Sequence, residues 1–217
     1  RKNDQLRTEV ARRKQVENSR ASVASRLEEA LNGAVIALAT MAEKRDPLTA
    51  SHQRRVAQLA YATARAMGLP AEKVNRISVA AAVHDVGNIV VPSEILHRPG
   101  KINEFEYGMI RTHPQVGYEI LREIELPWPL AEIIFQHHER LDGSGYPKSL
   151  RGDKILVEAQ VIAVADVVEA MCSPRPYRPP LGIEKAVVEI TQNQGILYDT
   201  KVVKGCVAAL EKGFNFQ

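Results

Sequence analysis

The chain has 217 residues, of which 45% are hydrophobic and 25% are charged. This composition is that of an ordinary globular protein, and it excludes a chain that is disordered throughout. The 13 glycines and 12 prolines are too few for a collagen-like or linker-dominated chain. The length predicts one domain with an appendage, because domains average roughly 150 residues.

The formal net charge is +3, and the excess is concentrated at one end of the chain. The first 20 residues carry seven basic and three acidic side chains. A nucleic-acid-binding domain usually carries its basic surface on the folded body, so we expect no binding of DNA or RNA polymers. The basic end is better interpreted as the solvated face of a helix.

Two cysteines are too few for a disulfide framework, which favours a reducing, cytoplasmic location. No apolar stretch approaches the roughly 20 residues of a membrane span, so no span is expected in this segment. The first residue is Arg1 rather than methionine. We therefore expect the chain to be part of a longer protein with an upstream regulatory domain.

Residues 1–42 are predicted to form a helical connector, and residues 43–217 the main domain. Residues 4–44 contain no proline and one glycine, and their apolar side chains recur at loosely helical spacing. These apolar residues are sparse, so the helix is not expected to be stable alone. The connector could pair with its counterpart in a homodimer, or it could be a frayed end of the chain.

Helical patterns follow one another from Thr49 onward, and the strict alternation typical of strands is nearly absent. A short extended piece is expected only at Val90 and Val91. The predicted class is therefore all-α. The predicted helices cover residues 51–67, 71–84, 112–124, 129–138, 155–171, 183–192 and 201–212.

Asp166 is the first candidate functional residue, because it lies within the apolar run 161–168. Burying a carboxylate there is costly unless it is paired or bound to a cation. The pair His84 and Asp85 follows another apolar run, and imidazole with carboxylate suits iron, manganese or zinc. A structural histidine and a solvent-facing aspartate remain the alternatives at this stage.

His137 and His138 are adjacent, which is a stronger signal. Neighbouring side chains on a helix point about 100° apart, so the pair is expected to serve two metals, or one metal and a substrate. A two-metal site activates water and holds phosphate oxygens during phosphoester hydrolysis. His97 lies in a Pro-Gly-flanked stretch and is interpreted as an ordinary loop residue.

These residues resemble the motifs of the HD-GYP domains, which are bacterial cyclic dinucleotide phosphodiesterases of the HD superfamily. The sequence His84-Asp85-Val86-Gly87 resembles the HD motif of that family. The run 137–147, His-His-Glu-Arg-Leu-Asp-Gly-Ser-Gly-Tyr-Pro, resembles its longer motif. Segments 45–55, 113–117 and 164–178 also match in order, so the resemblance covers about residues 43–210. It implies an HD-superfamily helical bundle.

The resemblance also implies the site. The family typically binds two divalent ions, iron or manganese first, with zinc, nickel or magnesium as alternatives. Asp85 would bridge the two ions, and Asn88 takes the position of a catalytic lysine. The implied metal ligands are His52, His84, Asp85, His113, His137, His138 and Asp166. The implied substrate contacts are Arg175, Arg178, Gly145, Tyr146 and Pro147.

The implied reaction opens cyclic di-GMP at a 3′–5′ phosphodiester to give linear pGpG, and some relatives prefer 3′,3′-cyclic GMP-AMP. The implied partners are the dinucleotide and diguanylate cyclase domains that contact the 143–147 loop. Two departures from the family pattern bear on activity. Asn88 lacks the charge of the usual lysine, so the alternative is an inactive domain that binds nucleotide or protein. Leu48 replaces a glutamate that gives some relatives a third metal, so two metals are expected.

Overall fold

The computed structural model describes residues 2–43, 47–96, 98, 100, 102–174 and 179–216. Within these residues the chain forms ten α-helices and no strand, which confirms the all-α prediction. The helices are α1 (Lys2–Glu43), α2 (Pro47–Ala66), α3 (Ala71–Val83), α4 (Ser93–Leu96), α5 (Glu104–Ile110), α6 (His113–Leu121), α7 (Leu130–Gln136), α8 (Val157–Cys172), α9 (Ile183–Gln192) and α10 (Thr200–Glu211).

The observed helices match the predicted ones to within a few residues at each end, apart from two short helices. Helices α4 and α5 were not predicted from the sequence. Helix α5 spans two turns and begins with a capping box, in which Asn103 accepts from the Glu106 N–H and Glu106 accepts from the Asn103 N–H. The prediction of extended backbone at Val90 and Val91 is wrong for Val90. Val90 ends a short 3-10 helix (Val86–Val90), and only Val91 has extended backbone.

Helix α2 is the centre of the core and packs against α3, α8 and α10. Val56, Leu59 and Ala60 point inward and are completely buried, at spacings of three and four residues that place them on one helix face. Ile77 of α3 and Val164 of α8 lie in the same cluster. Each large aliphatic side chain buried here stabilises the fold by about 1.5–3 kcal/mol.

Helix α1 has an exposed first half, where Val10, Val16 and Val23 face solvent. Its second half contacts the remaining helices, where Glu28 pairs with Arg76 of α3 and Val35 is buried. The division into a connector (1–42) and a domain (43–217) remains a prediction. Among the described residues, no helix is long and apolar enough to cross a membrane.

Gly87 allows two candidate ligands to approach each other. A Cβ atom at this position would lie 2.0 Å from the His113 carbonyl oxygen and 2.7 Å from the Gly117 nitrogen. Both are backbone atoms, and they cannot move aside as the end of a flexible side chain could. The absence of a side chain at Gly87 therefore lets the segment after Asp85 pack directly on the start of α6.

We expect Gly87→Ala to lower the free energy of unfolding by about 1–3 kcal/mol or more, because α6 must move away from the 3-10 helix. Thermal unfolding with and without added manganese measures this loss. Gly108→Ala is the matched control. Its Cβ meets nothing within 4 Å in α5, and alanine favours a helix over glycine by about 1 kcal/mol. An unchanged melting temperature for Gly87→Ala would contradict the packing argument.

Candidate metal centre

The ends of three helices bring candidate ligands together. His84 and Asp85 follow the last residue of α3, and His113 is the first residue of α6. His137 and His138 follow the last residue of α7. His52 and Asp166 come from within α2 and α8. The helices are held by the apolar core, so these side chains converge on a rigid scaffold.

Asp85 lies at the centre of the cluster. Its Oδ1 is 3.2 Å from His113 Nε2, and its Oδ2 is 3.4 Å from His84 Nε2 and 4.0 Å from His52 Nε2. Each side chain offers one ligand atom, and within each of two groups these atoms lie within 4.8 Å of one another. Asp85 belongs to both groups. The first comprises Asp85, His113, His137 and His138, and the second comprises His52, His84 and Asp85.

Asp166 adjoins the second group. Its Oδ1 lies 3.1 Å from His52 Nε2. Burial alone would raise the pKa of Asp166, but the hydrogen bond and charge of His52 hold it well below its usual value. Asp166 is therefore a buried anion of α8 in contact with the candidate ligand His52. The structure brings all seven predicted ligands into one region.

Three histidines share an orientation that exposes the same nitrogen. The Nδ1 of each donates to the carbonyl oxygen three residues earlier, at 2.7 Å from His84 to Ala81, 2.7 Å from His113 to Ile110 and 2.5 Å from His137 to Ile134. A carbonyl only accepts, so the proton lies on Nδ1. In the neutral ring, Nε2 then carries a lone pair.

These lone pairs face one another and a carboxylate. His113 Nε2 lies 3.2 Å from His137 Nε2, and the same atom lies 3.2 Å from Asp85 Oδ1. Burial, with the adjacent charges of His84 and His113, lowers the pKa of His137 to about 3, so its ring is neutral at pH 7. A cation between acceptor atoms this close would relieve their repulsion, and imidazole with carboxylate suits a transition metal.

The remaining charges agree with a cation site. Burial alone would raise the pKa of Asp85, but His84 and His113 lower it to about 2. Burial lowers the pKa of His138 well below its usual value. The site therefore presents ionised carboxylates at Asp85 and Asp166 and neutral imidazoles at His137 and His138, which are the protonation states that bind metals.

The expected divergence of the tandem histidines is wrong. Their ring centroids lie 4.1 Å apart with a tilt of 42°, and both belong to the same ligand group. The reason is local. His137 keeps helical backbone dihedrals as the residue after α7, so the side-chain rotamers, and not a break in the backbone, bring the two rings together.

Glu169 is a site residue that the sequence analysis did not identify. It is fully buried in α8, and its Oε2 is hydrogen-bonded to His52 Nδ1. The other oxygen, Oε1, accepts from Arg55 Nε at 2.7 Å and from the Ser173 hydroxyl at 2.5 Å. Its spacing of three residues from Asp166 places both carboxylates on one helix face, a signal that was present in the sequence.

These contacts shift the pKa values of both Glu169 and His52. Burial alone would raise the pKa of Glu169, but the hydrogen bond and charge of His52 lower it to about 2. Burial alone would lower the pKa of His52, but Asp166 and Glu169 raise it to about 9. The carboxylate of Glu169 thus orients His52 so that Nε2 points toward Asp85 and Asp166, as outer carboxylates do for metal-binding histidines.

Glu139 anchors the 143–147 loop beside the tandem histidines. It is buried, and its carboxylate accepts from the N–H groups of Lys148 at 2.7 Å and Leu150 at 2.9 Å. A Cβ at Gly145 would lie 2.4 Å from the His138 carbonyl oxygen, so only glycine allows this approach. Tyr146 then stacks on the His138 ring at a centroid distance of 4.7 Å.

The predicted substrate contacts are only partly described. Gly145, Tyr146 and Pro147 form the loop next to His138, whereas Arg175 and Arg178 lie outside the described residues. His97 and the side chain of Leu48 also lie outside them. Asn88 is half-buried in the 3-10 helix after Asp85. Among the described residues, its Oδ1 is buried without a hydrogen-bond donor.

The chain resembles known proteins over most of its length. The HD domain family model matches residues 37–202. The cyclic di-GMP phosphodiesterase response regulator RpfG of Xanthomonas campestris is 39% identical over 81% of this chain and 46% of its own length. The 3′3′-cGAMP-specific phosphodiesterase 2 of Vibrio cholerae is 36% identical over 77% of this chain and 32% of its own length. The chain thus spans less than half of either relative.

A solved structure has the same fold. It is Bd1817, an HDG"Y"P protein from Bdellovibrio bacteriovorus, with a TM-score of 0.63, 16% identity, and coverage of 87% of this chain and 63% of that one. At this identity the likeness concerns the fold alone. The family match spans about three quarters of the chain and includes the cluster around Asp85. The chain therefore belongs to the HD domain family, and the HD-GYP resemblance seen in its sequence is confirmed.

Proposed function

We propose that this domain is a metal-dependent phosphodiesterase that hydrolyses cyclic di-GMP to linear pGpG, with 3′,3′-cyclic GMP-AMP as a second substrate. The observation that carries the proposal is the convergence of the Nε2 atoms of His52, His84 and His113 on the Asp85 carboxylate. Relatives named as phosphodiesterases of these two dinucleotides support the substrate class.

The proposed ligands are His52, His84, Asp85, His113, His137, His138 and Asp166, which would hold two divalent ions with Asp85 shared between them. Iron or manganese suits this mixture of imidazole and carboxylate, as do zinc and nickel, with magnesium a further candidate. When bound, such a pair lowers the pKa of water and polarises phosphate oxygens.

Side chains of the protein would orient the metal ligands, position the loop and bind the substrate. The Nδ1 hydrogen bonds of His84, His113 and His137 hold the rings in one tautomer before substrate arrives. The Glu139 carboxylate fixes the loop that carries Tyr146 against His138. Arg175 and Arg178 are proposed to bind substrate phosphates or bases, because a guanidinium fork matches a phosphate bidentately.

The direct test incubates manganese- or iron-loaded protein with cyclic di-GMP and, separately, with 3′,3′-cyclic GMP-AMP. Chromatography then identifies the product. We expect linear pGpG from cyclic di-GMP, and no GMP beyond trace amounts. Tight dinucleotide binding without any linear product would instead support the second candidate, a binding or interaction module, which the replacement at Asn88 favours.

Asn88→Lys is expected to raise turnover about tenfold, because a charge-assisted hydrogen bond to a phosphate oxygen is roughly twice as strong as a neutral one. Steady-state kinetics with cyclic di-GMP measures the change. Asn88→Gln is the control, since it lengthens the side chain without adding charge. A rate for Asn88→Lys at or below that of the wild type would show that charge at this position is not limiting.

The setting of the domain is also a proposal. We expect a cytoplasmic protein in which an upstream regulatory domain acts through residues 1–42 on the domain at 43–217. We further expect a homodimer through α1 and contact of the 143–147 loop with diguanylate cyclase domains. Sedimentation of the chain at high concentration tests the dimer, and a strictly monomeric species would contradict it.

A further inference from the structure

Arg111 lies beside the candidate metal centre and was not identified from the sequence. It follows the last residue of α5, two residues before the candidate ligand His113. Its side chain is exposed. The guanidinium carbon lies 4.6 Å from the ring centroid of Tyr146 and 5.7 Å from that of Tyr107. The cation is therefore held by aromatic faces.

The stack continues to a candidate ligand. Tyr146 lies 4.7 Å from the His138 ring, with the planes 28° apart. Arg111 is thus separated from the metal centre by a single aromatic ring. Burial raises the pKa of the Tyr146 hydroxyl, so the ring between them stays uncharged at neutral pH.

The charge of Arg111 is not neutralised by a carboxylate of the described residues, whereas Arg55 and Arg98 are each paired with a buried glutamate. A guanidinium packed against an aromatic face still presents its N–H donors at its edge. These donors form a fork that matches phosphate geometry. An exposed, unpaired fork beside a hydrolytic centre is suited to an anionic part of the substrate.

We propose that Arg111, positioned by Tyr146, binds the second phosphodiester of the cyclic dinucleotide while the first lies at the metal centre. The proposal rests on the proposed function, because a cyclic dinucleotide carries two phosphodiesters and only one is cleaved at a time. Arg111 would then select for a substrate with two phosphates over one with a single phosphate.

The test measures binding and turnover separately on manganese-loaded protein. Calorimetry with the bis-phosphorothioate analogue of cyclic di-GMP gives Kd, and steady-state assays give kcat and KM for cyclic di-GMP and for bis(4-nitrophenyl) phosphate, which has one phosphorus. We expect Arg111→Ala to raise Kd and KM for the dinucleotide about tenfold or more. Its effect on the single-phosphate substrate should be at least tenfold smaller.

Two further variants refine the test. Arg111→Lys keeps the charge but loses the fork, so its Kd should lie between those of the wild type and Arg111→Ala. Arg122→Ala is the matched control, because Arg122 is an exposed arginine after α6 that contacts Glu123. Its Kd should equal that of the wild type. Metal content should be the same in all variants.

The outcomes separate the two proposals. Equal losses for both substrates, or an unchanged Kd in Arg111→Ala, would overturn the role of Arg111. Wild-type protein that binds the analogue but never cleaves cyclic di-GMP would overturn the proposed function while the Kd series still tests Arg111. Wild-type protein that binds no dinucleotide would overturn both.

Discussion

Asp85→Ala is expected to reduce hydrolysis of cyclic di-GMP by roughly a thousandfold or more. Asp85 is shared by both groups of candidate ligands and contacts His84 and His113. Its loss would remove the carboxylate shared by the two proposed cations, and such cations supply several kcal/mol of transition-state stabilisation. Each 1.36 kcal/mol corresponds to a tenfold change in rate. Initial rates at saturating metal and substrate measure the effect.

The control for this variant is Asp153→Ala, which removes an exposed aspartate outside the cluster. Metal content is measured in parallel, because Asp85→Ala should bind fewer ions per chain. Full retention of hydrolysis by Asp85→Ala, at unchanged metal content, is the result that the account cannot accommodate.

Glu169→Gln is expected to lower metal affinity and turnover by about 10–100-fold, although Glu169 does not itself belong to a ligand group. The glutamine keeps the shape but loses the negative charge that orients His52 through Nδ1. Outer carboxylates of this kind typically have effects of this size. Competition with a chromogenic chelator measures the affinity, and steady-state kinetics measures the rate.

Glu158→Gln is the matched control for Glu169, because it makes the same substitution on the same helix. Glu158 contacts Lys73 at 3.0 Å and is distant in sequence from the α8 site residues. We expect Glu169→Asp to recover part of the metal affinity, since it restores the charge. If Glu169→Gln and Glu158→Gln behaved alike, Glu169 would have only a structural role.

The sequence predicted the helices well where apolar spacing is regular, as in α2 and α8. It predicted the seven ligands through residue types and the family resemblance. Glu169 could have been found from its spacing to Asp166, because three residues bring both side chains to one helix face. The short helices α4 and α5 lack enough length for a periodic signal.

Other features depend on contacts that no local pattern reveals. The partners of Glu139 are backbone N–H groups nine and eleven residues later, and any residue type supplies a backbone N–H. The stack of Arg111 on Tyr146 joins residues from different parts of the chain. The divergence expected for His137 and His138 failed because helical spacing fixes the directions of the Cβ atoms and not the rotamers that bring the two rings together.

The most direct test of the central claim is the metal content of the purified chain, combined with anomalous diffraction at the absorption edge of the bound element. We expect two ions per chain. One would lie among Asp85, His113, His137 and His138, and the other among His52, His84 and Asp85, close to Asp166. A chain that stays free of metal after anaerobic loading with iron or manganese, or that binds ions only elsewhere, would contradict it.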